Sequence, residues 1–305
     1  MDFRVTVKVL NSYNLKRKQE RKMIGIAPQE WKTDLPEFCE KTRDFYAGKM
    51  DKGSYKGFSG RYGSYAQKGG AASMLRLRMT AGCVSKEKLA FIAKAIRAYQ
   101  VNMVHFTTCE SVQFHNLDEK SVCELMEQAL DAGIVTMGGG GDFPRNVMCS
   151  PLSGVEEGEY FDVMPWAKAA GEYLMTFINA EKMPRKLKVC FSNSPANVTH
   201  ATYRDLGFAA CPDGTFEVYS AGGLGNNPQF GVKVAEGVAP EKILYYIKAM
   251  WLTFRHMAIT KTAEKRVPGI CRKHSAERKI TGRRIRKSFR RYWHPGNSWI
   301  FHVRK

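Results

Sequence analysis

Hydrophobic and polar positions alternate most sharply in MLRLRM (Met74–Met79), which places Leu75 and Leu77 on one face of a strand and Arg76 and Arg78 on the other. Ser85 then caps KEKLAFIAKAIRAY, where Leu89, Ile92, Ala93 and Ile96 form an apolar helical stripe. The strand pattern returns in MVHFT (Met103–Thr107) and SVQFHNL (Ser111–Leu117). Asp118 opens a second helix that runs through Leu130 and is closed by Gly133. IVTM (Ile134–Met137) reads as a fourth strand.

That order of strands and helices predicts a ferredoxin-like half-domain over residues 61–137. Residues 1–60 carry helical patches and the polar stretch Lys49–Lys56, and read as an N-terminal arm. The run Gly138–Gly141 lacks the Lys-Ser/Thr of a phosphate-binding loop and reads as a flexible join. Beyond it come a short strand at RNVMC (Arg145–Cys149) and a helix over 165–180. RKLKVCFS (Arg185–Ser192) alternates again, with Lys186 and Lys188 opposite Leu187 and Val189. LGFAA and FEVYS form a hairpin across Asp213-Gly214, the loop AGGLGNNPQFG follows, and an amphipathic helix is expected over 240–255. The fold class is therefore α+β, with a mixed α/β module over 138–255 following the half-domain.

Length agrees, since 305 residues at roughly 150 per domain suggest two domains or one large one. No apolar run approaches the roughly 18 residues of a membrane span, and the N-terminus lacks the apolar core of a secretory signal. A cytoplasmic chain without a membrane partner is expected. Net charge is +19, but residues 256–305 hold 15 of the 48 Lys and Arg and two of the 29 acids. The basic excess is thus mostly a property of the last fifty residues. The eight cysteines stand singly, with no CxxC, and read as reduced thiols.

The chemistry resides in cations at strand positions among apolar neighbours: Arg78, Arg145, Lys186 and Lys188. With two Gly-rich loops able to approach a ligand closely, they suit a small oxyanion or a polyanionic ligand.

SMLRLRMTAG, HFTTCESVQFHNL, GDFPRNVMCSPLSG, PRKLKVCFS, DLGFAA and AGGLG occur in the order and approximate spacing of the sirohaem-dependent nitrite and sulfite reductases. The resemblance covers about residues 35–255 and matches the first of that family's two repeats. It implies a six-electron reduction of sulfite to sulfide or nitrite to ammonia, with ferredoxin or a similar donor. Arg78, Arg145, Lys186 and Lys188 would clamp the substrate oxygens and supply protons. Arg76, Gln113, His115, Asn146, Gly222, Gly223 and Gly225 would meet the sirohaem. The family's [4Fe-4S] cluster would be held by a second repeat, because Ser194 and Val198 stand here where cluster-binding repeats carry cysteines. No metal ligand is therefore expected in this chain. A further departure is Cys109-Glu110 in place of the family's frequent Arg-Gln, which removes one carboxylate-binding cation.

From His256 the chain leaves the family pattern. HMAITKTAEKRVPGICRKHSAER can be encoded so that the same bases, read two positions later, give YGNYENRRKARTRYMQETLGGE, which resembles the family's GNxxNRxKARxRYL segment. Residues 256–305 are accordingly expected to be an out-of-frame, disordered tail on a truncated reductase. The alternatives are a non-catalytic sirohaem- or anion-binding fragment and, ranked below it, a nucleic-acid binder through TGRRIRKSFRRYW, which interleaves Arg with aromatics.

Overall fold

The structure, a computed structural model, describes residues 28–179, 183, 185–224 and 228–263. Alternation in β2 (Ser73–Arg78) buries Leu75 and Leu77 completely, and β4 (Ser111–Leu117) adds Val112 and Phe114 to the same face. β3 (Val104–Phe106) flanks β4, and β1 (Ser64–Ala66) flanks β2, giving an antiparallel sheet in the order β1-β2-β4-β3. α3 (Lys86–Ala98) and α4 (Glu119–Asp131) cover the apolar face through Ile92, Ala95, Val122, Leu125 and Met126. Both begin as the sequence predicts: the Ser85 side chain accepts from Lys88 N, and that of Asp118 from Ser121 N.

The fourth strand of this ferredoxin-like unit is the upstream β1, and residues 134–137 form no strand. Ile134 and Met137 are fully buried and the Val135 carbonyl accepts the Arg78 N–H, so the apolar run there fills the core as a loop. Ahead of β1, α1 (Leu35–Tyr46) and α2 (Lys52–Ser59) pack against the half-domain. Trp31, Leu35 and Phe38 join its core.

The second module is a five-stranded sheet in the order β5-β6-β7-β8-β9. β5 (Met148–Cys149), β6 (Val189–Ser192) and β7 (Leu206–Ala210) run parallel. β8 (Phe216–Ser220) and β9 (Val232–Val238) complete an antiparallel meander. β9 is absent from the sequence reading because Glu236 and Gly237 interrupt its alternation. α5 (Met164–Met175) and α6 (Ile243–Ala263) close one core around the stacked Phe191 and Phe208. Residues 256–263, the start of the tail expected to be disordered, instead continue α6, and residues 264–305 lie outside the described residues.

The two units share a seam at β5, the edge strand of the second sheet. Its outer edge is occupied by the half-domain: Ala81 N donates to the Val147 carbonyl (3.1 Å), and Cys149 N donates to the Glu110 carboxyl.

Candidate functional site

Arg76 and Arg78 follow from the alternation of β2, since burying Leu75 and Leu77 turns both guanidinium groups to the opposite face. Arg145 arrives from the other module. Parallel pairing continues below β5 through Pro144 and Leu187, with Arg145 N donating to the Leu187 carbonyl (2.8 Å). Leu187 and Val189 are fully buried, so Lys186 and Lys188 face away from that core, beside Arg145.

These five cations meet around a cavity of about 190 Å3, with Thr107, Thr108, Cys109, Ser111, Gly139 and Asn146 as its other walls. Among the described residues, no carboxylate lines it. A larger open groove of about 860 Å3 between α3 and α4 has mixed charge, with Lys94 and Lys120 facing Glu124 and Asp131. Of the two, the smaller cavity gathers charge of one sign.

The arginines are held by backbone carbonyls. Arg78, 5% exposed, donates to the carbonyls of Met137 (3.3 Å), Pro144 (2.8 Å) and Arg145 (3.0 Å). Burial, followed by the charges of Arg145 and Arg76, pushes its pKa down to about 9. Arg145 donates to Gly139 O (2.6 Å) and Gly141 O (2.8 Å), and Arg76 also donates to Gly139 O. The glycine run is therefore a carbonyl cradle rather than a free join. A Cβ on Gly140 would stand 2.6 Å from Gly60 O and from Tyr65 Oη, so only glycine fits.

The side-chain ammonium groups of Lys186 and Lys188 have no hydrogen-bond or ion-pair partner among the described residues, while Lys188 N donates to the Asp205 carboxylate (2.8 Å). The Lys186 pKa is lowered by burial first, then by Lys188, Arg145 and Arg185. Its ammonium gives up a proton more readily than an ordinary lysine.

Asn146 is nearly fully buried, and its Nδ2 donates to the carbonyls of Met79, Cys109 and Glu110, so this amide joins the cavity walls. Gln113 and His115 lie beside the cavity on the polar sheet face. In register, Gln113 stands between Arg76 and His105. With its amide oxygen toward Arg76, Gln113 accepts from Nε (2.9 Å) and donates to His115 Nε2 (3.3 Å). The rings of His115 and His105 are 4.4 Å apart. The His115 pKa is lowered by burial, then by His105 and Arg76.

Gly222 and Gly223 are not among the cavity walls. A Cβ on Gly222 would meet the Tyr203 backbone at 2.5 Å, and Gly223 pairs with Gln229. Gly225 lies outside the described residues. Sequence reasoning missed Thr107, Thr108, Ser111 and Gly139 as walls. The left-handed Glu110 (φ 55°) that closes the 107–110 turn carries no strong sequence signal.

Among the described residues, no three His, Cys, Asp or Glu side chains converge as a metal site, and no helix is long and apolar enough to cross a membrane. The described cysteines thus offer no ligand set for an iron–sulfur cluster.

Residues 65–132 match the nitrite/sulfite reductase ferredoxin-like half domain, and residues 140–268 match the nitrite and sulphite reductase 4Fe-4S domain. The chain is 29% identical over 216 residues to the sulfite reductase [NADPH] hemoprotein beta-component of Thiocapsa roseopersicina, an alignment covering 60% of this chain and 38% of that protein. It is also 29% identical over 160 residues to the ferredoxin–nitrite reductase of Synechococcus elongatus, covering 49% of this chain and 31% of that protein. The Mycobacterium tuberculosis NirA protein shares the fold with a TM-score of 0.61 at 21% identity, over 78% of this chain and 48% of its own. The chain thus spans well under half the length of these curated relatives. Together, the two matched domains and the shared fold show that this chain belongs to the nitrite and sulfite reductase family.

Proposed function

We propose that the cavity at the module seam is the oxyanion site of a sirohaem-dependent reductase acting on sulfite or nitrite, and that this chain is the first repeat of such an enzyme. The carrying observation is five cations around about 190 Å3 with no carboxylate among the walls. Like charges held this close repel, and an anion bound between them relieves that cost. A pyramidal three-oxygen or bent two-oxygen anion suits the volume.

Arg76 and Arg145, fixed through Gly139, orient the anion by directed N–H groups. The Lys186 and Lys188 ammonium groups, with no protein acceptor among the described residues, grip and protonate its oxygens. The lowered Lys186 pKa favours that transfer. Arg78 supports both arginines from beneath by holding the 137–145 backbone.

The residues present fit a tetrapyrrole ringed by carboxylates. Arg76, His105, Gln113 and His115 form a polar row beside the cavity, and buried Arg145 Nε has no partner among the described residues. Sirohaem, when bound there, supplies the iron at which the oxyanion is reduced. A [4Fe-4S] cluster finds no such fit, and no electron route is assigned to this chain.

A visible absorption spectrum of the chain mixed with sirohaem tests the reading. Bound-tetrapyrrole bands that weaken in the Arg76→Met variant are expected. Unchanged free-sirohaem bands would reject the pocket as its site. The non-catalytic alternative predicts the same bands but no turnover when the chain is joined to a second repeat and given a reduced donor.

A further inference from the structure

Glu110 ends the turn between β3 and β4 in a left-handed conformation (φ 55°), its N–H on the Thr107 carbonyl (2.8 Å). L residues avoid that conformation, so something must hold it. Its carboxyl leaves the half-domain and takes the Cys149 N–H with both oxygens, at 2.9 and 3.2 Å. Ser150 N donates to Phe191 in β6, so the Cys149 N–H points off the opposite edge of β5, toward the half-domain. Cys149 is 1% exposed, and without Glu110 its N–H would be a buried orphan. Gly82 makes the room, since a Cβ there would stand 2.8 Å from Glu110 Oε2. The turn this carboxyl anchors is the one that presents Thr107, Thr108 and Cys109 to the cavity.

We infer that Glu110 is a positioning residue of the oxyanion site: by bridging to the edge of β5, it holds the 107–110 turn as the wall opposite Arg145, Lys186 and Lys188. The inference rests on the reading of that cavity as an oxyanion site. Reach, not charge, is the requirement, because the Cys149 N–H needs an acceptor at that distance and a neutral one serves.

Cys109 reports on the wall, since it lines the cavity and its thiolate displaces iodide from alkylating reagents. The measured quantity is the ratio of Cys109 labelling rates with anionic iodoacetate and neutral iodoacetamide, by peptide mass mapping of the full chain. The ratio cancels the thiolate fraction and reads the field of the surrounding cations. A native ratio about tenfold above that of the urea-unfolded chain is expected. Glu110→Gln keeps the reach and should leave the ratio within about twofold. Glu110→Asp keeps the charge but is one methylene short, and should lower the ratio about threefold or more. Cys211, in the second module, serves as the folding control. An Asp variant matching the native chain, or a Gln variant falling as far as Asp, would overturn the positioning role while leaving the oxyanion site intact. A native ratio no higher than that of the unfolded chain would instead remove the oxyanion site, and this role with it.

Discussion

Arg76 and Arg145 share one acceptor. The Gly139 carbonyl takes a guanidinium N–H from each, although one arginine comes from the half-domain sheet and the other from the second module. Two like charges are drawn together by a dipole aimed between them, and the loop carrying that dipole has no room for side chains. The site is thus assembled at the seam.

Gly140→Ala should therefore lower stability by about 1–3 kcal/mol, since the new methyl group displaces the Gly60 and Tyr65 contacts. Thermal unfolding checks this, and a melting temperature equal to that of the native chain would contradict the cradle.

Lys186→Ala and Arg78→Ala should separate function from stability. Lys186 has no partner among the described residues, so its loss should change stability by less than about 0.5 kcal/mol. In a complete reductase the same change should cut kcat roughly a hundredfold or more through the lost proton donor. Arg78→Ala strands three buried carbonyls and should cost about 2–4 kcal/mol. Denaturant titrations beside turnover measurements test the pair, and equal stability losses would show both cations to be structural.

Glu110 gives stability a pH dependence with a definite sign. Burial pushes its pKa from 4.5 up to about 7, against the Cys149 N–H and the charge of Arg204, which lower it. The buried thiols of Cys149 and Cys190 face the same carboxyl and are themselves pushed up to about 12, chiefly by burial. The folded state holds the Glu110 proton more tightly than the unfolded state does. Its contribution is therefore full below about pH 4.5, is lost as pH rises through about 7, and amounts to roughly 3 kcal/mol. Relative to Glu110→Gln, the native chain should lose that stability between pH 4.5 and 7. A constant difference in urea midpoints across this range would contradict the assignment.

The tail makes a genetic prediction. Sequencing the locus should reveal a frame change near residue 255, beyond which the alternative frame continues the family segment. An unbroken frame encoding residues 256–305 as they stand would refute this. A salt-dependent nucleic-acid shift lost on deleting 256–305 would favour the binding alternative.

Much of the fold could be read from periodicity. The alternation of β2, the Ser85 and Asp118 caps and the paired lysines of 185–192 all have local causes, and the structure reproduces them. Ile134–Met137 misled because an apolar run records burial, and burial in a loop looks like burial in a strand. β1 is three residues long and leaves too short a pattern to read.

The sequence by itself determined which side chains are cationic and which face of each strand they occupy, because alternation and capping act over a few neighbouring residues. Tertiary structure alone decided that Arg76, Arg145 and Lys186 share a cavity, that Gly139 binds two arginines, and that Glu110 crosses the seam. Those relations join residues far apart in the chain. They depend on the closing distance between two packed sheets, and no local pattern encodes that distance.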